Sequence, residues 1–141
     1  MNSEDITTIE DLKLQMEKGF IPKFVFFWGH TPKIPGIIDQ SCLSNWFPSS
    51  FTIDNVEYPT SEHYLMAEKA NIFNDQKIRS EILKASNPGV AKNLGRSVDG
   101  FEEEIWIIKR FEVMVKGCFA KFSQNQALAD LLIRTGTKIL V

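Results

Sequence analysis

The pattern of apolar and polar positions divides the chain into a strand-bearing part followed by a helix-rich part. Residues 23–28 are a run of aromatic and β-branched side chains, which predicts a buried strand. Residues 51–58 alternate apolar and polar side chains around an Asp-Asn pair, which predicts a hairpin with a two-residue turn. Residues 29–42 carry Pro32, Pro35 and Gly36, so we expect a long loop there.

Six segments are predicted as helices from the spacing of their apolar side chains, from suitable capping residues, or from both. They are residues 8–19, 60–73, 75–83, 87–95, 101–122 and 125–136. In the longest of them, the large apolar side chains follow the spacing of one face of an amphipathic helix. These are Phe101, Ile105, Ile108, Phe111, Val115, Cys118, Phe119 and Phe122. A few strands followed by many helices predict an α+β fold, a mostly helical single domain with a small hairpin.

Composition narrows the class of protein. The 141 residues are 43% hydrophobic and 24% charged, which is typical of one globular domain. The net charge of −2 and the lack of a basic block argue against binding along a nucleic-acid duplex. No apolar run has the length of a membrane span, and residues 1–5 are polar and acidic, unlike a signal peptide.

The two cysteines, Cys42 and Cys118, lie far apart in the sequence. A zinc site with cysteine ligands needs more thiolates than this, so we do not expect one. A disulfide stays possible, but a reduced cytoplasmic protein is the simpler interpretation.

The start of the predicted helix 60–73 carries the most informative side chains. Glu62 falls in the first turn, where backbone N–H groups attract anions, and Lys69 follows seven residues later on nearly the same face. A carboxylate and an amine on one face could flank a shared substrate. The alternative stays open, because a glutamate near a helix start is favoured by the dipole and a later lysine is commonly solvated.

Other candidate binding residues lie in loops or at the ends of predicted strands and helices. Asn45 and Trp46 could bind a ribose hydroxyl and stack on a base, or equally belong to a hydrophobic loop held against the core. Trp28 and Gly29 stand at a strand end, a frequent place for ligand contacts. Arg96 follows a helix end and could clamp a phosphate. Most of four further scattered cations are expected on a solvated surface: Lys92, Lys109, Arg110 and Lys121.

Taken together, these motifs resemble those of the NADAR family of N-glycosidases in order and spacing. The resemblance extends from residue 24 almost to the end of the chain. Its main motifs are Phe27-Trp28-Gly29, Ser44-Asn45-Trp46, Thr60-Ser61-Glu62-His63, Glu68-Lys69-Ala70 and Asn93-Leu94-Gly95-Arg96.

The resemblance implies cleavage of the bond between a ribose-like sugar and a nitrogenous base, without metal or cofactor. The implied substrate is a small nucleotide-like molecule, such as a phosphorylated riboflavin intermediate, or an ADP-ribosylated guanine in nucleic acid. It assigns to Lys69 a Schiff base with the opened sugar, and to Glu62 charge stabilisation or proton transfer. The residues expected to bind substrate are Trp28, Gly29, Asn45, Trp46, His63 and Arg96.

One departure from the family concerns the C-terminal end. Family members continue beyond the residues that match Leu140 and Val141, with an acidic residue and later an Asp and a Trp-Gly pair. We therefore expect a single domain over residues 1–141 that lacks this segment, as a naturally short or a truncated member. The segment is expected to help line the pocket, so the sequence leaves the catalytic activity of this short chain open. The alternative function is a module that binds ADP-ribose or a nucleotide without turnover, and a third is an interaction protein. The sequence leaves the oligomeric state open.

Overall fold

The computed structural model describes residues 6–141, and the polar, acidic residues 1–5 lie outside the described part. The helices are α1 (Ile9–Glu17), α2 (Ser61–Ile72), α3 (Gln76–Leu83), α4 (Pro88–Gly95), α5 (Glu103–Ser123) and α6 (Gln126–Arg134). The strands are β1 (Phe24–Val25), β2 (Phe51–Ile53), β3 (Val56–Tyr58) and β4 (Ile139–Leu140). This element order confirms the predicted α+β class. No helix within residues 6–141 is long and apolar enough to cross a membrane.

Local signals set most element boundaries. The Thr60 hydroxyl accepts a backbone N–H in the first turn of α2, and Asp75 and Asn87 cap α3 and α4 in the same way. Between β2 and β3, Asp54 and Asn55 have φ values of 51° and 64°. Two consecutive residues in the left-handed region form the tight turn that antiparallel hairpins prefer, so the predicted hairpin is confirmed.

The buried strand predicted at residues 23–28 is wrong in length and burial. β1 is two residues long and pairs in parallel with β4, Phe24 opposite Ile139. Phe26 is 67% exposed and Trp28 is 98% exposed. The reason is that β1 has one neighbouring strand among the described residues, so its far side is not covered by a sheet. Aromatic and β-branched content therefore identified an extended segment but not a core strand.

Helix α2 is the central element and packs against α3, α4 and α5. Its buried apolar residues belong to the main hydrophobic core, together with the hairpin and Ile82 of α3. Tyr64 of α2 meets Tyr58 of β3 edge-on, with ring centroids 5.0 Å apart. This aromatic contact joins the hairpin to the helices.

Two glycines allow the neighbouring helices to approach α2 closely. A Cβ atom at Gly95 of α4 would overlap the side chain of Met66, and one at Gly117 of α5 would lie 2.6 Å from Cδ1 of Tyr64. Gly95 is the last residue of α4, as the sequence predicts. In the structure, the missing side chain of Gly95 also leaves space for Met66 of α2.

The large apolar face of α5 lies mostly on the surface. Ile108, Phe111 and Phe119 are each about three-quarters exposed. The buried residues of α5 are instead Gly117, Ala120 and Lys121. An apolar stripe ordinarily marks the core side of a helix. Here the side of α5 that contacts α2 carries the small residues Gly117 and Ala120, because α2 is close. The hydrophobic spacing therefore predicted the helix correctly but not its buried side.

Lys121 is buried, which corrects its assignment to a solvated surface. Only 1% of its surface is exposed, and Nζ donates to the carbonyl oxygens of Cys42 at 2.6 Å and Ser44 at 2.9 Å. Burial lowers the pKa of Lys121 to about 8. These two hydrogen bonds link α5 to the 3₁₀ turn at Gln40–Leu43 and to Ser44, which follows that turn.

Gly117→Ala tests the contact between α2 and α5. Alanine gains about 1 kcal/mol of helix propensity over glycine, but overpacking against buried Tyr64 costs about 1–3 kcal/mol. We expect a lower free energy of unfolding in urea, whereas Lys109→Ala on the exposed surface of α5 leaves it nearly unchanged. A stabilised Gly117→Ala protein would contradict the close contact.

Lys121→Met tests the bonds that hold the 3₁₀ turn. The variant removes the Lys121 donor from the Cys42 carbonyl and one of two donors from the Ser44 carbonyl, which keeps the Phe47 N–H. We therefore expect a loss of about 1–3 kcal/mol in unfolding free energy. The matched control is Lys116→Met on the same helix, which removes only an exposed ion pair with Asp54. That control should lose less than about 1 kcal/mol, and equal losses in both variants would refute the assignment.

Candidate active site

A cavity of about 770 Å³ opens between the loop after β1, residues 43–46, the start of α2 and α4. Its volume is in the range of sites for small organic ligands. Five of the residues predicted to form the site line it: Trp28, Gly29, Asn45, Trp46 and Glu62. These five residues come from three segments that are separate in the sequence, and the tertiary structure brings them to one cavity.

Glu62 is a buried carboxyl group at the cavity wall. It lies in the first turn of α2, is 7% exposed, and its backbone N–H donates to the Asn45 carbonyl at 3.1 Å. Burial raises the pKa of Glu62, while the charge of Lys92 and a hydrogen bond with the Trp46 side chain act in the opposite direction. A raised pKa favours the protonated form of a carboxyl group, which can donate its proton to a leaving group.

Aromatic rings form another part of the wall. The backbone N–H of Trp46 donates to Oγ of Ser44 at 3.2 Å, and the indole lies 5.8 Å from the His30 ring between centroids. Trp46 is half-buried and lines the cavity, so its indole is available to a ligand as well as to the loop. Trp28 is almost fully exposed at the same cavity. Indole faces of this kind can stack on a nucleobase.

Lys69 lies outside this cavity. Its Nζ donates to the Gly95 carbonyl at 2.7 Å and sits 4.2 Å from the centroid of the Phe101 ring. Burial, and to a smaller extent the charge of Arg96, lower the pKa of Lys69. Seven residues of helix separate it from Glu62 by roughly 10 Å along the axis of α2. A shared helix face therefore does not place both groups on the same cavity wall.

His63 and Arg96 also lie away from the cavity. The His63 ring is 1% exposed, with Nδ1 at 2.8 Å from the Thr60 hydroxyl and Nε2 at 3.0 Å from the Ala85 carbonyl. Because a carbonyl only accepts, Nε2 carries the proton, and the ring links α2 to the residues that follow α3. Arg96 is exposed at the end of α4, beside Lys69.

The cavity wall also contains residues that were not among the predicted site residues. Two of them are His30 and Lys92, and Nζ of Lys92 lies 5.8 Å from the centroid of the Trp46 ring. Lys92 was expected on a solvated surface. No local pattern separates it from other exposed lysines, because its position at the cavity depends on how α4 packs on α2.

Comparison with known proteins gives several matches. The chain is 36% identical over 124 residues to an N-glycosidase of Acanthamoeba polyphaga mimivirus, covering 84% of this chain and 71% of that protein. It is 37% identical over 103 residues to the N-glycosidase YbiA of Escherichia coli, covering 73% of this chain and 62% of YbiA. A riboflavin biosynthesis protein of Vibrio vulnificus is 35% identical over 94 residues, and the match covers 67% of this chain and 25% of that protein.

The fold is also that of a solved relative. The NMR structure of Escherichia coli YbiA matches with a TM-score of 0.72 at 32% sequence identity, covering 86% of this chain and 67% of that chain. The match agrees with the α+β arrangement described above. The NADAR domain family model matches residues 26–141, which include every residue of the cavity wall named here. The chain belongs to the NADAR domain family.

Proposed function

We propose that this chain is an N-glycosidase that cleaves the bond between a ribose-type sugar and a nitrogenous base in the cavity beside Glu62. The observation that carries the proposal is a buried carboxyl group with a raised pKa in a cavity walled by indole rings. Two relatives bear the name N-glycosidase. The substrate class we infer is a ribose phosphate or ADP-ribose attached to a base, free or within a modified nucleic acid.

In this mechanism Glu62 acts as the general acid. Its proton moves to a nitrogen of the departing base, and the electron pair of the carbon–nitrogen bond leaves with that base. Positive charge then develops on the sugar, where the newly formed carboxylate stabilises it. Water adds to the sugar carbon and returns a proton to Glu62. Trp46 is positioned to stack on the base, and Asn45 to bind a sugar hydroxyl.

The finer proposal is that Lys69 forms a Schiff base with the opened sugar, as the family resemblance implies. In its support, burial and Arg96 lower the pKa of Lys69, which favours the neutral amine needed for attack. Its Nζ must first leave the Gly95 carbonyl and approach the sugar, because Lys69 does not line the cavity. The direct route through Glu62 and water needs no such movement.

Glu62→Gln tests the general acid. We expect the release of free base from ribosylated substrates, followed by chromatography, to fall by about 10²- to 10⁴-fold. In the unaltered chain, kcat/KM should decrease as pH rises through the raised pKa of Glu62, since the acid loses its proton. Glu68→Gln, on the same helix and outside the cavity, is the matched control. A rate that instead rises with pH over this interval would exclude proton donation by Glu62.

Borohydride trapping tests the role of Lys69. Reduction during turnover should attach the sugar covalently to the unaltered chain, with the added mass on a peptide containing Lys69. Lys69→Ala should abolish the adduct, and Lys69→Arg keeps a cation beside Gly95 but cannot form the imine. An adduct that persists in Lys69→Ala, or turnover that continues without any adduct, would remove the Schiff base and leave the direct route.

The second candidate is a binding module that holds a nucleotide without cleaving it. It is favoured by the separation of Lys69 from the Glu62 cavity. ADP-ribose that binds in calorimetry, together with no release of base from a panel of ribosylated substrates, would select this candidate over the enzyme.

A further inference from the structure

The cavity has an uneven distribution of charge. Among the described residues that line the cavity, Glu62 is the one carboxylic acid and Lys92 is the one side chain of the lysine or arginine type. Glu62 is buried, whereas Lys92 is exposed on α4. The carboxyl group therefore lies deeper than the ammonium group, and a ligand in the cavity can reach both.

Lys92 differs from the other lysines near the site in what its ammonium group contacts. Lys69 donates to the Gly95 carbonyl. Lys121 donates to the carbonyls of Cys42 and Ser44, of which Ser44 lines the cavity. Within residues 6–141, Nζ of Lys92 makes no hydrogen bond or ion pair; it lies 5.8 Å from the Trp46 ring centroid. A ligand can thus bind the ammonium of Lys92 without breaking a bond inside the protein.

We propose that Lys92 is the anion subsite of this cavity and binds a phosphate group of the substrate while the base lies against Trp46. This inference rests on the proposed function of the cavity. An ammonium group is a compact point charge that binds phosphate without a fixed orientation. Thr31 and Ser44 line the same cavity and bring hydroxyl groups that can donate to phosphate oxygens. Lys92 would thus give the cavity its preference for a phosphorylated nucleoside over a free nucleoside.

Binding at Lys92 would also affect Glu62. The charge of Lys92 lowers the pKa of this carboxyl, in opposition to burial. A phosphate on Lys92 neutralises that charge, so the protonated acid becomes more favourable when the substrate is in place. One lysine would thus both select a phosphorylated ligand and favour the reactive form of the acid.

Calorimetry with guanosine 5′-monophosphate and guanosine tests the subsite without requiring turnover. A charge-assisted hydrogen bond should make the phosphate improve Kd by about tenfold or more. In Lys92→Met we expect this preference to fall to near unity, while the affinity for guanosine changes little. Lys92→Arg should restore most of it, because the positive charge is kept.

The controls separate this inference from the proposed reaction. Lys109→Met removes an exposed lysine of α5 outside the cavity and should keep the full preference, and Glu62→Gln should keep it while losing turnover. Circular dichroism and the urea midpoint confirm that each variant is folded. A preference that survives in Lys92→Met, or no difference between the two probes in the unaltered chain, including no binding at millimolar concentration, overturns the subsite. Absent turnover with an intact preference would instead count against the reaction alone.

Discussion

The close approach of α2 to α4 and α5 is the constraint on which the remaining structure depends. Gly95 and Gly117 leave room for large α2 side chains, so α4 and α5 each contact α2 without an intervening layer. This packing fixes the N-terminal turn of α2, and with it Glu62, against the residues around Asn45. The same contact brings Lys92, three residues before Gly95, to the cavity. Site geometry therefore follows from backbone proximity in the core.

Three lysines show how the environment decides what an amine can do. Lys121 is buried and held by two carbonyls, which makes it a structural link between α5 and the cavity wall. Lys69 is half-buried, and its Nζ donates to one carbonyl, that of Gly95. Its pKa is lowered by burial, and it lies outside the cavity. Lys92 is exposed at the cavity, where its ammonium group can contact a ligand. Desolvation favours the neutral amine, whereas exposure keeps the charge that attracts anions.

Burial along α5 follows the space between helices rather than hydrophobicity. Gly117 and Ala120 face the core because α2 is close, and Lys121 accompanies them because its ammonium group finds carbonyl partners. The large apolar side chains remain outside, and some of them border an apolar groove of about 640 Å³ with α6 and β4. Exposed apolar surfaces of this kind often bind other molecules.

The sequence by itself determined the helices, the caps of α1 to α4, the hairpin and the family, because these depend on neighbouring residues and on motifs of fixed spacing. It also predicted Glu62 and the loop residues Asn45 and Trp46 as candidate site residues, and all three line the cavity. A carboxyl in a first helical turn and a Trp-bearing loop are local features. The tertiary structure decided which side of α5 is buried, and it placed Lys69 and His63 away from the cavity. These outcomes depend on contacts between segments distant in sequence, and no local pattern encodes them.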